Sequence, residues 1–209
     1  MANRIINPAP PNLPLGPDKY ERRYQDQHSN VLRLYFNQLK NALGELFGDR
    51  GGRFIDFPSG GFQDNTTQSA ASANVAYTVT FNTTAFSNGV RIGSPTSRII
   101  VDNPARYNFQ FSIQLDKSAG ATGNIWIWPR INGVNIPDSA TKIAIQGTAA
   151  ETVAAWNFVL DMATAGDYFE LVWLTDDNRV QLKHEAGFGV APNDVPEIPS
   201  VIQIGRAHV

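Results

Sequence analysis

Two groups of carboxylates lie close enough in sequence to suggest acid–base chemistry: Asp161 with Asp167 across a turn, and the adjacent Asp176 and Asp177. A glycosidase needs such a pair, one group to protonate the leaving oxygen and one to attack or to activate water. Both groups sit in turn contexts, where aspartate is favoured because it accepts from nearby backbone N–H groups, so turn bracing is the expected role. His184 beside Glu185 has the residue types of a general base, but the pair sits at a strand end where polar residues are ordinary. Asp176, Asp177 and Asn178 offer the oxygen ligands calcium takes, though too few of them. His28, His184 and His208 are far apart and show no His-Glu-x-x-His spacing, and the chain has no cysteine, so no metal is expected. Gly48-Asp49-Arg50-Gly51-Gly52 lacks the Gly-Lys-Ser/Thr ending of a phosphate loop and follows a helical pattern, which makes it a hinge. No Gly-x-Ser-x-Gly elbow occurs. The residues therefore predict a protein that is not an enzyme and carries no cofactor.

The overall balance narrows the classes further. Of 209 residues, 42% are hydrophobic and 17% charged, with 17 Lys and Arg against 19 Asp and Glu. That suits one ordinary soluble domain plus an appendage. Without a basic run there is no electrostatic footprint for phosphate backbones, and no nucleic-acid partner is expected. No apolar run approaches the roughly 20 residues needed to span a bilayer, and residues 1–17 lack an apolar signal core. No membrane partner is expected, and the product is expected to be cytosolic when made. With no disulfides available, robustness outside a cell would have to come from packing or oligomerisation.

The elements that must position any site follow from periodicity. Residues 7–17 contain five prolines, which fix φ, remove backbone donors and favour an extended arm. Ile5, Ile6, Leu13 and Leu15 are its candidate apolar anchors on a larger particle. A helix then reads from Pro17 to Phe47, with Asp18 as N-cap, Glu21 closing a capping box, and Lys40 and Gly48 as exit signals. At 1.5 Å per residue it would extend about 45 Å. Leu32, Phe36, Leu39, Leu43 and Leu46 follow the 4-3-4-3 spacing of a coiled-coil seam, whereas Gln25 and Ser29 in the same register are polar. Two apolar heptads are too few for an isolated coil, so this half must pack against copies of itself or against the base of its own β-domain.

From Arg53 onward the period is two. Tyr107, Phe109, Phe111, Ile113 and Leu115 alternate with Asn108, Gln110, Ser112 and Gln114, which gives one apolar face to a half-exposed strand. Further strands are predicted over 54–57, 75–81, 90–92, 98–101, 125–131, 142–145, 153–160, 168–174 and 180–184. Turn signals fall at Ser87-Asn88-Gly89, Asn132-Gly133, Ala165-Gly166-Asp167 and Asp176-Asp177-Asn178. About ten short strands with no helical crossovers predict a mainly β chain: an antiparallel jelly-roll sandwich after one long helix and a Pro-rich arm. The divisions are arm 1–17, helical stem 18–48 and head 49–203. Trp126, Trp128, Trp156 and Trp173 with Tyr77, Tyr107 and Tyr168 are more large rings than one small core must hold, so either they fill the core or some face neighbouring subunits. Trp126 and Trp128 share one strand face with Pro129 directly after, which predicts an edge or bulged strand and makes Trp128 a candidate interface residue.

Two stretches carry a family resemblance. Ser97-Arg98-Ile99-Ile100-Val101 followed by Ala105-Arg106-Tyr107-Asn108-Phe109-Gln110-Phe111 resembles paired strands of the tumour-necrosis-factor and complement globular-head superfamily, although Ala105 and Arg106 stand where that family carries glycine. Ala165-Gly166-Asp167-Tyr168-Phe169-Glu170-Leu171-Val172-Trp173-Leu174 resembles its Gly-Asp-x-Val-x-Leu stretch. The likeness covers residues 51–203. With its arm and stem, the whole chain is also similar to fibre, knob and decoration proteins of tailed bacteriophages. The resemblance implies a homotrimer in which three jelly rolls share an axis lined by aromatic residues and the stems enter at one end. The resulting expectation is a phage virion protein, made in the bacterial host cytoplasm, with the arm attaching to other virion proteins, Leu32, Phe36, Leu39, Leu43, Leu46 and Trp128 joining the copies, and the head meeting the host, a bacterial surface glycan being its candidate ligand. The alternatives are a capsid decoration protein without a receptor role and a carbohydrate-active enzyme on a sandwich scaffold.

Residues 204–209, Ile-Gly-Arg-Ala-His-Val, match one frame of a common sequencing adapter read up to an in-frame stop. The native chain is therefore expected to continue differently after Gln203, in a final strand that begins at Pro199-Ser200-Val201-Ile202 and is cut short here, leaving an edge.

Overall fold

A computed structural model of the chain describes residues 8–47, 57–120, 122–147, 150–192 and 194–208. The chain divides into two compact units, Met1–Asp56 and Phe57–Val209. The predicted anchors Ile5 and Ile6, and most of the strand predicted at 54–57, lie outside the described residues.

Among the described residues of the first unit one helix, α1, runs over Arg22–Phe47. It begins three residues later than the capping-box pattern predicts. Its first turn is closed by the Gln25 N–H donating to the carbonyl of Glu21 at 3.2 Å, so Glu21 stands at the helix boundary and Asp18 lies outside it. The Tyr24 hydroxyl, one turn in, donates to the carbonyl of Pro14 at 3.2 Å, and its ring stacks on His28 with centroids 5.9 Å apart. The end of the proline segment is thereby folded back onto the first turn. Neither end carries the charges that would complement the helix dipole. Stability must then come from whatever covers the apolar stripe.

The described residues of the second unit form fourteen strands: β1 (Ser59–Asp64), β2 (Gln68–Ser69), β3 (Ala76–Thr78), β4 (Thr83–Asn88), β5 (Val90–Ile92), β6 (Ile99–Val101), β7 (Ala105–Lys117), β8 (Thr122–Ile131), β9 (Val134–Asn135), β10 (Thr141–Gln146), β11 (Ala150–Met162), β12 (Tyr168–Thr175), β13 (Val180–Leu182) and β14 (Val201–His208). They make two seven-stranded antiparallel sheets. In the first, β4, β1, β14, β7 and β11 lie side by side, and β13 and β2 extend the ladder beyond one end of β14. The second has the order β10-β8-β12-β6-β5, with β3 on β12 and β9 on β8. With the short strands set aside, the sequence 1-14-7-11 faces 6-12-8-10, which is a jelly-roll-like β-sandwich.

Alternation fills the space between the sheets. Tyr107, Phe109, Phe111, Ile113 and Leu115 of β7 are all buried, as are Ile125 and Ile127 of β8 and Phe169, Leu171 and Trp173 of β12. Phe109 stacks on Phe169 across the sandwich, centroids 4.3 Å apart and nearly parallel, and Trp173 meets Tyr77 at 5.7 Å. Each ring so buried stabilises the fold by about 1.5–3 kcal/mol. The polar groups that enter the interior are held by neighbours. Asp64 accepts from Thr66 N and Oγ1, Thr80 Oγ1 and Asn82 Nδ2, and Lys117 Nζ donates to the Gly147 carbonyl at 3.0 Å. The unpaired exceptions include the indole N–H groups of Trp156 and Trp173 and, most fully, Gln203, whose buried amide has neither nitrogen nor oxygen paired.

One expectation is corrected here. The strand carrying Trp126, Trp128 and Pro129 is not an edge, because β8 runs between β10 and β12. Proline is tolerated there because pairing with β10 stops at Thr141 opposite Ile127. The Pro129 carbonyl accepts from Ile136 N on that same side, and within a strand the N and C=O of one residue point the same way. The missing N–H therefore faces the hairpin side and removes no bond to β12.

Candidate interaction surfaces

At 3.6 residues per turn, Leu32, Phe36, Leu39, Leu43 and Leu46 fall within about 40° of one line on α1. Leu32 and Leu39 are half-buried, while Phe36 is 59% and Leu43 43% exposed; the Leu46 side chain lies outside the described residues. Half-buried Tyr24, His28, Val31, Tyr35 and Ala42 widen the stripe on one flank. The described members of the predicted seam thus share one line of the helix, and Phe36, the largest ring on it, is open. In the arm, Leu13 is 47% and Leu15 95% exposed. Among the described residues, no helix is long and apolar enough to cross a membrane.

The head offers two further surfaces. β11 is thirteen residues long and pairs only with β7 among the described residues, which leaves its other edge without a ladder partner. Val153 and Val159 on its outward face are more than half exposed, and Trp156, Phe158 and Leu160 on its inward face are only half-buried. Trp156 packs edge-on against Phe111 at 4.6 Å, yet its indole N–H is buried without an acceptor. A long apolar edge of this kind is a template for association.

The outward face of the second sheet is the other surface. Trp126, Trp128 and Arg130 of β8 stand there at alternate positions, opposite Leu174, Val172 and Glu170 of β12. The Trp128 Nε1–H donates to Asn135 Oδ1 at 2.8 Å, and Arg130 Nε donates to the same oxygen at 2.6 Å. Lys142 Nζ lies 5.2 Å from the centre of the Trp126 ring, and the Arg130 guanidinium 6.0 Å from that of Trp128. Of the seven rings singled out in the sequence, Trp173 and Tyr107 are in the core, Tyr77 and Trp156 pack against it, and Trp126, Trp128 and Tyr168 lie outside it.

The carboxylates raised as acid–base candidates brace the scaffold. Asp161 faces Arg106 across the β11–β7 pair and accepts two bonds from its guanidinium, at 2.7 and 3.0 Å, which hold the carboxyl below its ordinary pKa. Asp167 is likewise lowered, first by the Asn132 amide and then by the Thr164 N–H. Asp177 is lowered by Arg179 two residues on, and Asp176 accepts from both the backbone and the amide of Asn124. A carboxyl held ionised by such partners is not poised to donate a proton. Asp176, Asp177, Asn178 and Arg179 line a shallow depression with Ala73 and Thr122. His184 Nε2 lies 3.5 Å from Glu197, not against Glu185, whose backbone pairs with Ile198. Among the described residues, no three His, Asp or Glu side chains converge as a metal site would require.

No protein-family model and no curated protein matches this chain.

Proposed function

We propose that this chain is a non-catalytic structural protein of a bacteriophage particle, an appendage of three copies joined along their helical stems. The arm attaches it to other virion proteins, and the jelly-roll head is displayed toward the host surface. The observation that carries this reading is the open stripe on α1: a 26-residue helix with Phe36 and Leu43 exposed on one line presents an apolar face of the kind that helices of other copies cover. The apolar edge of β11 supports it independently, since closing a ring of copies is one way to bury an edge that a monomer leaves open. Leu13 and Leu15, exposed on a proline-stiffened segment, suit an arm that docks elsewhere.

The mass of the purified full chain in solution, by light scattering, tests the assembly: three copies are expected, and Phe36→Asp with Leu43→Asp should give monomers. Mass spectrometry of purified phage particles, with the head labelled for imaging, tests the location. Absence of the chain from particles whose lysate contains it would overturn the virion assignment.

A further inference from the structure

We propose that the outward face of the second sheet, centred on Trp126 and Trp128, binds an acidic polysaccharide through stacked sugar rings and paired uronate carboxylates. The proposal deepens the reading of a host-facing head and rests on it for its biological setting, though not for its chemistry.

Both indoles lie outside the core although they sit in the middle of a sheet. Val172, on the same outward face directly opposite Trp128, is completely buried, and Leu174 opposite Trp126 is half-buried. Side chains of this face therefore lie down over the sheet, which forms a broad aromatic floor and not a row of upright rings. Positions i and i+2 on a strand are about 6.7 Å apart, the length scale of a sugar ring. The C–H face of a pyranose is apolar and packs on an indole, while its hydroxyls remain free to bond at the edges.

Charge decides which saccharide. Lys142 and Arg130 flank the floor, and among the described residues neither has a carboxylate partner. The acidic groups on this face are engaged elsewhere: Glu170 is buried and committed to Ser97 Oγ at 3.0 Å and Arg98 at 3.7 Å, and Asp176, at the end of the face, accepts from the backbone and amide of Asn124. Two cations remain uncompensated beside two aromatic rings. A neutral glycan would leave them unused, and an acidic peptide would leave the floor unused. A polymer of uronic acids uses both. Asn135, which accepts from Trp128 and Arg130 through one oxygen, fixes the orientation of that ring and of that guanidinium together.

The test is electrophoresis of the full chain through gels containing alginate, hyaluronan or polygalacturonate, with dextran and polyglutamate as neutral and non-saccharide controls. Retardation by at least one polyuronate and by neither control is expected. Trp126→Ala with Trp128→Ala should weaken binding at least tenfold. Lys142→Glu, at an exposed strand position, should do the same without altering the fold. No retardation by any of the three polyuronates overturns the proposal; so does equal retardation by polyglutamate, which would mean ion exchange alone, or undiminished binding by both variants. Oligomeric state is measured on the same samples. A trimer that binds no polyuronate contradicts this site and leaves the assembly standing, whereas a monomer that binds contradicts the assembly and leaves the site standing.

Discussion

The two units handle the same kind of side chain in opposite ways. In the head, Tyr107, Phe109, Phe169 and Trp173 are closed off from water, and Phe109 and Phe169 join the two sheets in one stack. In the stem, Phe36 and Leu43 are left open on a continuous stripe. Large rings enclosed from both sides need nothing further, whereas a one-sided stripe specifies a partner. The contrast fits the proposed division of labour, in which the core rings of the head are enclosed within one chain and the stripe of the stem is left for other copies to cover.

If that contrast is right, the two units should break separately. The largest effect is expected from Phe36→Asp with Leu43→Asp, which places two charges on the stem line: assembly should be lost by two orders of magnitude or more in sedimentation equilibrium, while the near-ultraviolet signature of the head rings persists. Next comes Phe109→Ala, which empties a ring site between the sheets and should destabilise the head by about 3–5 kcal/mol in urea unfolding. Gln203→Leu sharpens the comparison from the other side. Its buried amide has no partner, so replacing it with an apolar side chain of similar size should stabilise the head by about 1 kcal/mol. The smallest effect is acidic. Asp161, Asp167 and Asp177 are all held below the ordinary value of 3.8 in the fold. Their contribution is therefore complete above that value and is lost as pH falls through the lower folded values. Melting temperature should be level from pH 7 to about 5 and decline below about 4, with Asp167→Asn flattening part of the decline.

Much of this contrast is legible in the residues, for reasons that differ by element. The run from Tyr107 to Leu115 alternates without a break, and the structure extends it to Ala105–Lys117. Asn132-Gly133 marks the β8–β9 hairpin, and both residues take positive φ, at 50° and 78°, as a two-residue turn of this hand requires. The heptad spacing by itself marks the stem line. Its start is less legible: Asp18 and Glu21 satisfy a capping pattern, but the helix begins at Arg22 and the preceding segment folds back to Tyr24. β1 is hidden because Gly60 and Gly61 are poor strand residues; a Cβ at Gly60 would meet the ring of Phe62 and the Val90 carbonyl, and one at Gly61 the ring of Phe86, so glycine is required in part by packing against residues distant in sequence. Pro129 misleads in the same way, since which side of a strand lacks a partner is decided by where β10 ends. The face proposed to bind saccharide is half legible: the alternation puts Trp126 and Trp128 together, but Lys142 and Asn135 reach them only through pairing of β10 and β9 with β8.

The measurement closest to the central claim is the mass of the full chain in solution at micromolar concentration. One chain is 22.9 kDa, and the stem account predicts a single species of about 69 kDa. A species of 22.9 kDa would mean that the open stripe on α1 needs no second copy, and it would contradict the account.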